Sequence, residues 1–226
     1  MSLFVVGTDT AVGKTVVTAG LVGWLRRDGI DAVGIKPCQT GAPEDDDARF
    51  VERVCGETAA ATCGRRLGPA LAPAVAARET GTELSYDAIR DHCRAAIDTH
   101  ERAVVEGIGG LRVPLTEETE VVDLVADLDL PTLVVARSGL GTLNHTALTV
   151  EALRERGVSV RGIVLNRYEG ASVAERTNPD VIESMTDTPV ATLPPVTVGD
   201  GHGLAARGAE LIDAVASSLP VTFREK

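Results

Sequence analysis

Two lysines and a glycine-rich segment carry the first chemical signal in this chain. Gly7, Gly13, Lys14 and Thr15 lie between an apolar run and a helical pattern. This arrangement is typical of a phosphate-binding loop, in which backbone N–H groups and the lysine hold phosphate oxygens and the hydroxyl binds Mg²⁺. The spacing is unusual, because five residues separate the two glycines where the common pattern has four.

Lysine is scarce, and this scarcity makes each interior lysine informative. Lys14, Lys36 and Lys226 are the only lysines, against 19 arginines. A compact ammonium is not interchangeable with a guanidinium where a point charge must meet a phosphate. We therefore expect Lys14 to reach the β- and γ-phosphates. Lys36, at the end of the next predicted strand, is expected to bridge the γ-phosphate and an anionic acceptor.

Oxygen ligands for Mg²⁺ can be proposed from the same loops. Besides Thr15, Glu106 ends an apolar run and precedes two close glycines, and Asp47 is the last acid of the run "EDDDA" before a helical pattern. One hydroxyl and one or two carboxylates suffice for Mg²⁺, which keeps several waters. The alternative for both carboxylates is a solvated surface charge.

Short apolar runs alternate with helical patterns, which predicts a parallel sheet covered on both faces. Polar residues and glycines follow the carboxyl ends of the predicted strands, where open α/β sheets bind ligands. The predicted strands are Leu3–Val6, Ala32–Ile35, Ala103–Val105, Thr132–Ala136, Gly162–Leu165 and Val190–Leu193. The predicted helices are Thr15–Asp28, Asp46–Cys55, Tyr86–His100, Glu120–Leu128, Thr142–Arg156, Pro179–Thr186 and Gly203–Ser218.

Composition narrows the class of protein. The net charge of −11 disfavours non-specific binding to nucleic acid or anionic membranes. No apolar run reaches the roughly 20 residues of a membrane span, and we expect a cytoplasmic protein with four free cysteines. Many acids with few lysines suit a protein kept soluble in high salt, although a GC-rich genome would also favour arginine.

Four segments, in this order, resemble the dethiobiotin synthetases: "GTDTAVGKTVVTAGL", "GIKPCQTG", "VVEGIGGLRVPL" and "SGLGTLNHTALT". The five-residue gap before Gly13 is that family's own form of the loop. The resemblance covers residues 3 to about 166. It implies a single domain over residues 1–226, with a three-layer phosphate-loop NTPase-like fold and a mostly parallel central sheet. It also implies ATP- and Mg²⁺-dependent conversion of 7,8-diaminononanoate and CO2 or bicarbonate to dethiobiotin.

The resemblance assigns roles by position. Lys36 and Lys14 match catalytic lysines, and Thr15, Asp47 and Glu106 match metal ligands, with all but Lys36 also contacting ATP. Asn166 matches the residue that reads the adenine. A segment from residue 141 to 144 matches one that grips the substrate carboxylate from the neighbouring subunit, which implies a homodimer with shared sites. The other matched positions are Ala11, Val12, Gly13, Val16, Gly109, Pro194 and Val196 for ATP, and Thr10, Thr40, Gly141, Thr142, Leu143 and Asn144 for substrate, together with Lys36.

Three rival functions share parts of this pattern. A partitioning-type ATPase switch would carry a further lysine early in the loop, where this chain has Thr8, Asp9 and Thr10. A relative that has lost catalysis would be indicated by loss of Lys36 or Glu106, and both are present. An amidotransferase-type ligase acting on corrin acids would need an additional glutaminase domain.

Overall fold

The computed structural model describes residues 2–196 and 204–218. The strands are β1 (Leu3–Gly7), β2 (Ala32–Lys36), β3 (Gln39–Thr40), β4 (Ala61–Cys63), β5 (Arg66–Leu67), β6 (Arg102–Glu106), β7 (Thr132–Arg137), β8 (Val160–Asn166) and β9 (Val190–Leu193). The helices are α1 (Lys14–Arg27), α2 (Asp47–Cys55), α3 (Pro73–Glu79), α4 (Tyr86–Thr99), α5 (Val121–Leu128), α6 (Thr142–Glu155), α7 (Val173–Thr186) and α8 (Leu204–Ser218), with a 3₁₀ turn at Thr58–Ala60. None of the described helices is long and apolar enough to cross a membrane.

The main sheet has seven strands in the order β4-β2-β6-β1-β7-β8-β9, and every neighbouring pair is parallel. β3 and β5 form a separate two-stranded parallel pair. In the main sheet β6 lies between β2 and β1, so the segments that follow these three strands emerge side by side. These are the segments that carry the predicted phosphate loop, Lys36 and Glu106.

Alternate residues of β1 show why both faces of the sheet must be covered. Phe4 and Val6 belong to one apolar cluster, whereas Leu3 and Val5 belong to another. The first cluster includes side chains of α3 to α7, and the second includes side chains of α1, α2 and α8. The molecule therefore has three layers, with the sheet in the middle, and the predicted fold class is confirmed.

Most predicted elements are found within two residues of their expected ends, and one helix is corrected. The helix expected to begin at Pro179 begins six residues earlier, at Val173. Ser172 and Glu175 form a capping box there, in which the Ser172 hydroxyl accepts from the Glu175 N–H. Pro179 lies in the second turn, where its missing N–H leaves one helical bond unmade. Gly203, the expected start of the last helix, lies outside the described residues.

Small elements between β2 and α4 were not predicted. β3, β4, β5 and α3 are two to seven residues long, which is too short for a clear apolar period. β3 nevertheless matters for the site, because it begins three residues after Lys36 and leads through a short loop to α2. The pairing of β3 with β5 fixes this segment against the rest of the chain.

Close packing of α1 against α8 depends on Gly20. A Cβ at this position would lie 2.4 Å from Cγ2 and 2.7 Å from Cβ of Val215. Because valine is β-branched and has few allowed χ1 rotamers, rotation of the Val215 side chain would not remove this clash. The helix that begins with Lys14 and Thr15 is thereby held close to α8.

We expect Gly20→Ala to lower the free energy of unfolding by about 1–3 kcal/mol, because overpacking outweighs the better helix propensity of alanine. Urea unfolding followed by circular dichroism measures this change. Gly139→Ala is the matched control, since a Cβ there would meet nothing within 4 Å, and it should stay within about 0.5 kcal/mol of the parent. Equal stability of the Gly20→Ala and parent proteins would contradict the tight helix contact.

Candidate active site

Both glycines of the predicted phosphate loop are required by its shape. A Cβ on Gly7 would lie 2.9 Å from Lys14 Nζ and 2.9 Å from the carbonyl oxygen of Asp9. Gly13 has φ +103°, and a Cβ there would lie 1.9 Å from Nδ2 of Asn166. The loop therefore turns tightly from β1 into α1, with no room for side chains at these two positions.

Ala11 is the strained residue of the loop. Its φ is +57°, a left-handed conformation that is uncommon for residues with a Cβ. Glycine would adopt this conformation without strain. Ala11 lines the cavity beside Lys14 and Thr15, so the strain lies directly at the site.

Lys14 is buried and held by the loop itself. Its Nζ donates to the carbonyl oxygen of Asp9 at 3.1 Å. Burial, together with the nearby charge of Lys36, lowers the pKa of Lys14 to about 8, against the attraction of Glu106 and Asp47. An ammonium that is poorly solvated in this way gains strongly from an anionic ligand.

Lys36 lies at the centre of a buried cluster of charges. Its Nζ donates to Asp47 Oδ2, to Glu106 Oε1 at 3.1 Å and to the carbonyl oxygen of Gly107 at 3.1 Å. The three N–H donors of the ammonium thus have three acceptors. The Thr15 hydroxyl lies 2.7 Å from Asp47 Oδ1 and 2.9 Å from Glu106 Oε1, and its single proton can serve one of them at a time.

The electrostatics of the cluster fix the charges of Lys36 and Asp47. Burial by itself would lower the pKa of Lys36, but the attraction of Glu106 and Asp47 outweighs it and raises that pKa. Burial raises the pKa of Glu106, against the opposing charge of Lys36. At Asp47 burial is outweighed by the ammonium of Lys36, and the pKa is lowered. Lys36 is therefore a permanent cation and Asp47 a permanent anion at neutral pH.

Two side chains hold Asp47 at the first position of α2. Asp46 caps the helix, accepting from the Arg49 N–H at 3.1 Å, and it also accepts from Arg66 Nε at 2.8 Å. The Oε1 of Gln39 accepts the N–H of Asp47 itself at 3.0 Å. The sequence analysis missed Gln39, although one signal was available: it is the only glutamine in the chain.

A cavity of about 290 Å³ joins the loop and the cluster. It brings together residues predicted to contact nucleotide, metal and substrate, and it adds four that were not predicted. The predicted lining residues are Thr10, Ala11, Gly13, Lys14, Thr15, Val16, Lys36, Thr40, Asp47, Glu106 and Gly109; the additional ones are Gln39, Asp45, Ile108 and Arg167.

Asn166, Val12, Pro194 and Val196, which were also predicted to contact ATP, do not line this cavity. The Nδ2 of buried Asn166 donates to the carbonyl oxygen of Val12 at 2.9 Å, so this amide holds the backbone of the predicted phosphate loop. Val12 is buried in the core next to the sheet. Pro194 and Val196 follow β9, and neither is among the residues that line the cavity.

The predicted substrate segment at the start of α6 also lies outside this cavity. Gly141 precedes the helix, Thr142 is buried, Leu143 is half-buried and Asn144 is exposed. The adjacent Leu140 is 92% exposed. A second cavity, of about 430 Å³, is lined by loop residues 8–10, by residues 110–113 and by four residues of α6. Within one chain, α6 therefore meets the other side of the phosphate loop.

The donor set can be tested against the needs of a metal ion. Among the described residues no group of three or more His, Cys, Asp or Glu side chains could hold a metal by itself. One hydroxyl and two carboxylates do converge at Thr15, Asp47 and Glu106. Such a hard, incomplete oxygen set fits Mg²⁺ that is shared with phosphate oxygens and waters.

Comparison with known proteins agrees with these observations. A family model described as an AAA domain matches residues 1–198. An ATP-dependent dethiobiotin synthetase of Haloferax mediterranei is 60% identical over 96% of this chain and 90% of the relative. Proteins of the same description from Anaeromyxobacter dehalogenans and Aquifex aeolicus are 53% and 36% identical, over 73% and 82% of this chain and 76% and 85% of the relatives.

Solved structures with a similar fold are more distant in sequence. The cell division ATPase MinD of Pyrococcus furiosus has a TM-score of 0.56 and 14% identity, over 96% of this chain and 98% of the other. The septum site-determining protein MinD of Pyrococcus horikoshii, complexed with Mg-ADP, has a TM-score of 0.61 and 15% identity, over 95% and 93% of the two chains. At this identity the similarity shows the fold alone.

We expect Gly13→Ala to weaken ATP binding at least about tenfold, because a left-handed residue with a Cβ costs roughly 1–2 kcal/mol and this Cβ would displace the amide of Asn166. Titration with a fluorescent ATP analogue measures the affinity. Gly29→Ala is the control, because Gly29 also has a positive φ, +81°, but a Cβ there would meet nothing within 4 Å. An unchanged affinity in Gly13→Ala would show that the loop does not hold the phosphates.

Proposed function

The chain belongs to the family of ATP-dependent dethiobiotin synthetases, and we propose that the cavity between Lys14, Lys36 and Glu106 is where it closes the cyclic urea of dethiobiotin. The observation that carries the proposal is the fully paired ammonium of Lys36 beside a phosphate loop. A partitioning-type switch is not favoured, since the MinD structures share the fold at only 14% and 15% identity.

The reaction proposed for this site has three steps. One amine of 7,8-diaminononanoate adds to CO2 and loses a proton, which gives a carbamate. A carbamate oxygen then attacks the γ-phosphorus of ATP, and ADP leaves. The second amine attacks the carbon of the resulting carbamic–phosphoric anhydride, so that a C–N bond closes the ring and phosphate leaves. Two anions meet in the second step, and that step needs positive charge.

Lys36 is the residue proposed to meet this need. It lies at the carboxyl end of β2, it is 5% exposed, and its pKa is raised by Glu106 and Asp47. It is therefore charged without having to take up a proton during the reaction. Preorganised cations of this kind stabilise the charge of a transition state more than mobile water does. Lys14 and the loop N–H groups are proposed to hold the phosphates.

Mg²⁺ is proposed to bind Thr15, Asp47 and Glu106, and when bound it supplies positive charge against the β- and γ-phosphates. The chain positions these ligands through three separate elements, α1, α2 and β6. Thr10 and Thr40 line the same cavity and are proposed to contact the diamine. Asn166 is proposed to read the base from the far side of the loop.

We further propose a homodimer in which each site is shared. The segment from residue 141 to 144 does not line the cavity of its own chain, and both its last residue, Asn144, and the preceding Leu140 are exposed. In such a dimer, Asn144 and the N-terminus of α6 of one chain would contact the carboxylate of the substrate bound in the cavity of the other chain. A helix N-terminus favours such an anion.

The proposed function is tested by phosphate release from MgATP and bicarbonate, with and without 7,8-diaminononanoate, at low and high KCl. We expect release that depends on the diamine and a product with the mass of dethiobiotin. In Lys36→Ala turnover should fall by at least about 100-fold, because a charge-stabilising donor is lost, whereas ATP affinity should stay within a few-fold of the parent.

Two controls make this test decisive. Lys36→Met keeps the apolar stem and shows whether a folded protein without the ammonium is equally inactive. Arg161→Ala removes an exposed cation at the amino end of β8, the end opposite Asn166, and should leave turnover unchanged. Near-normal dethiobiotin formation by both Lys36 variants would refute the role of this lysine, and diamine-independent release by the parent would indicate a switch-type ATPase.

Asn144→Ala should raise the KM for the diamine more than the KM for ATP, because only the diamine carries the carboxylate. Mixing this variant with Lys36→Ala tests the shared site. The mixture is assayed at a diamine concentration far below the raised KM, where Asn144→Ala alone turns over slowly. Random exchange of subunits forms one intact site in each mixed dimer, so the mixture should reach roughly a quarter of the parent activity. If the mixture is no more active than the mean of the two variants measured separately, or if the KM of Asn144→Ala for the diamine is unchanged, the cross-subunit contact is wrong.

A further inference from the structure

Gln39 has an exceptional place in both the sequence and the structure. It is the only glutamine among 226 residues, and it is 3% exposed on the wall of the proposed active site. A buried side-chain amide is costly unless both its ends are hydrogen-bonded. Both ends of Gln39 have partners, so its contacts show what it does.

The two ends of the amide reach two different functional segments. Its Oε1 accepts the N–H of Asp47 at 3.0 Å, and its Nε2 donates to the carbonyl oxygen of Thr40 at 2.8 Å. Asp47 is the proposed metal ligand on α2, and Thr40 is the proposed substrate contact on β3. The backbone of Gln39 is itself fixed, because its N–H donates to the carbonyl oxygen of Arg65 at 2.7 Å.

The N-terminus of α2 needs this contact. The first N–H groups of a helix have no partner within the helix. Asp46 satisfies the N–H of Arg49 at the third position, and Gln39 satisfies the N–H of Asp47 at the first. The direction of the Asp47 carboxylate therefore depends on a side chain from β3 as well as on the local cap.

The amide also suits the local charge. Asp45, Asp47 and Glu106 already line the cavity, and two of them share the ammonium of Lys36. A glutamate at position 39 would add a further negative charge that competes for the same cation. Glutamine accepts the N–H of Asp47 without adding charge, and its second end can donate to a carbonyl oxygen, as a carboxylate cannot.

We propose that Gln39 is a positioning residue that sets the Asp47 carboxylate for Mg²⁺ and links it to the substrate-contacting backbone at Thr40. The proposal rests on the function proposed above, because it uses the same metal and substrate residues. It adds a role that the metal ligands themselves do not reveal: the strand that presents the substrate contact also holds the helix that presents the metal ligand.

The first test uses the metal-free protein. In Gln39→Met, which keeps the length of the side chain but lacks both hydrogen bonds, hydrogen exchange of the Asp47 amide should accelerate at least about tenfold. Nuclear magnetic resonance measures this rate residue by residue. Unchanged protection of the Asp47 amide would show that the contact with Gln39 does not hold the helix end.

The second test measures ATP binding by calorimetry over a series of MgCl2 concentrations and in EDTA. The Mg²⁺ midpoint is the Mg²⁺ concentration at which half of the gain in ATP affinity is reached. Gln39→Met should raise this midpoint about tenfold, because metal affinity usually falls by this much when a group that orients a metal ligand is removed. Affinity in EDTA should change less than twofold. In an Asp47→Asn background the same substitution should shift the Mg²⁺ midpoint less than twofold, because the carboxylate that it positions is gone.

Asn178→Leu is the matched control. Asn178 is also a buried amide, and it donates to the carbonyl oxygens of Ser138 and Gly139 on another side of the fold. It should lower stability without moving the Mg²⁺ midpoint. If Gln39→Met moves the midpoint no more than Asn178→Leu does, Gln39 is merely a stabilising residue and the proposal fails.

The outcome for the parent protein separates this proposal from the proposed function. If Mg²⁺ raises the ATP affinity of the parent, and Gln39→Met has the same Mg²⁺ midpoint as the parent, only the role of Gln39 is overturned. If Mg²⁺ does not change the ATP affinity of the parent, both the metal assignment and the role of Gln39 are overturned. Should Gln39→Met not fold, Gln39→Leu removes the same two hydrogen bonds and is judged by the same midpoint.

Discussion

A buried ammonium between two carboxylates is the interaction on which the rest of the site depends. Removing an ion from water costs several kcal/mol, and a buried pair repays this cost only when geometry and hydrogen bonding are nearly complete. Lys36 meets this condition with three acceptors. Because Asp47 and Glu106 come from different elements, the ends of β2 and β6 and the start of α2 must meet at one point. The fold therefore brings the proposed metal ligands together.

The parallel sheet is what makes this convergence possible. Its order places β6 between β2 and β1, so Lys36, Glu106 and the phosphate loop emerge from three adjacent strands. Tight packing then sets the distances: Gly7 and Gly13 let the loop close around Lys14, and Gly20 lets α1 approach α8. The same architecture is found in the MinD structures, at 14% and 15% identity. The shared architecture therefore does not decide the reaction by itself, which depends on the side chains at the strand ends.

Much of this could be predicted from the sequence, for identifiable reasons. Uninterrupted apolar strands and a glycine-rich turn are local signals, and the fold class that they indicated is confirmed. The function was implied by the resemblance of four segments to one family, and the relatives confirm it. The scarcity of lysine marked Lys14 and Lys36, and both line the cavity. The two-residue strand β3 and the contact of Gln39 with Asp47 were missed, because they depend on pairing with distant segments. The start of α7 was misplaced because proline is common at the first position of a helix, which favoured Pro179. The helix begins instead at Val173, directly after the capping box of Ser172 and Glu175.

Side-chain amides show how an acidic chain builds polar contacts without further charge. It contains one glutamine and three asparagines, and three of these four are buried: Gln39, Asn166 and Asn178. Each donates to a backbone carbonyl of a loop at the carboxyl edge of the sheet or of the strand pair beside it: that of Thr40, that of Val12 or that of Ser138. Such donors hold loop backbones in place while leaving the few charges in the cavity to Lys14, Lys36 and the carboxylates. In a chain with a net charge of −11, neutral hydrogen bonds of this kind hold the loops around the proposed phosphate site without adding carboxylates that would compete for its lysines.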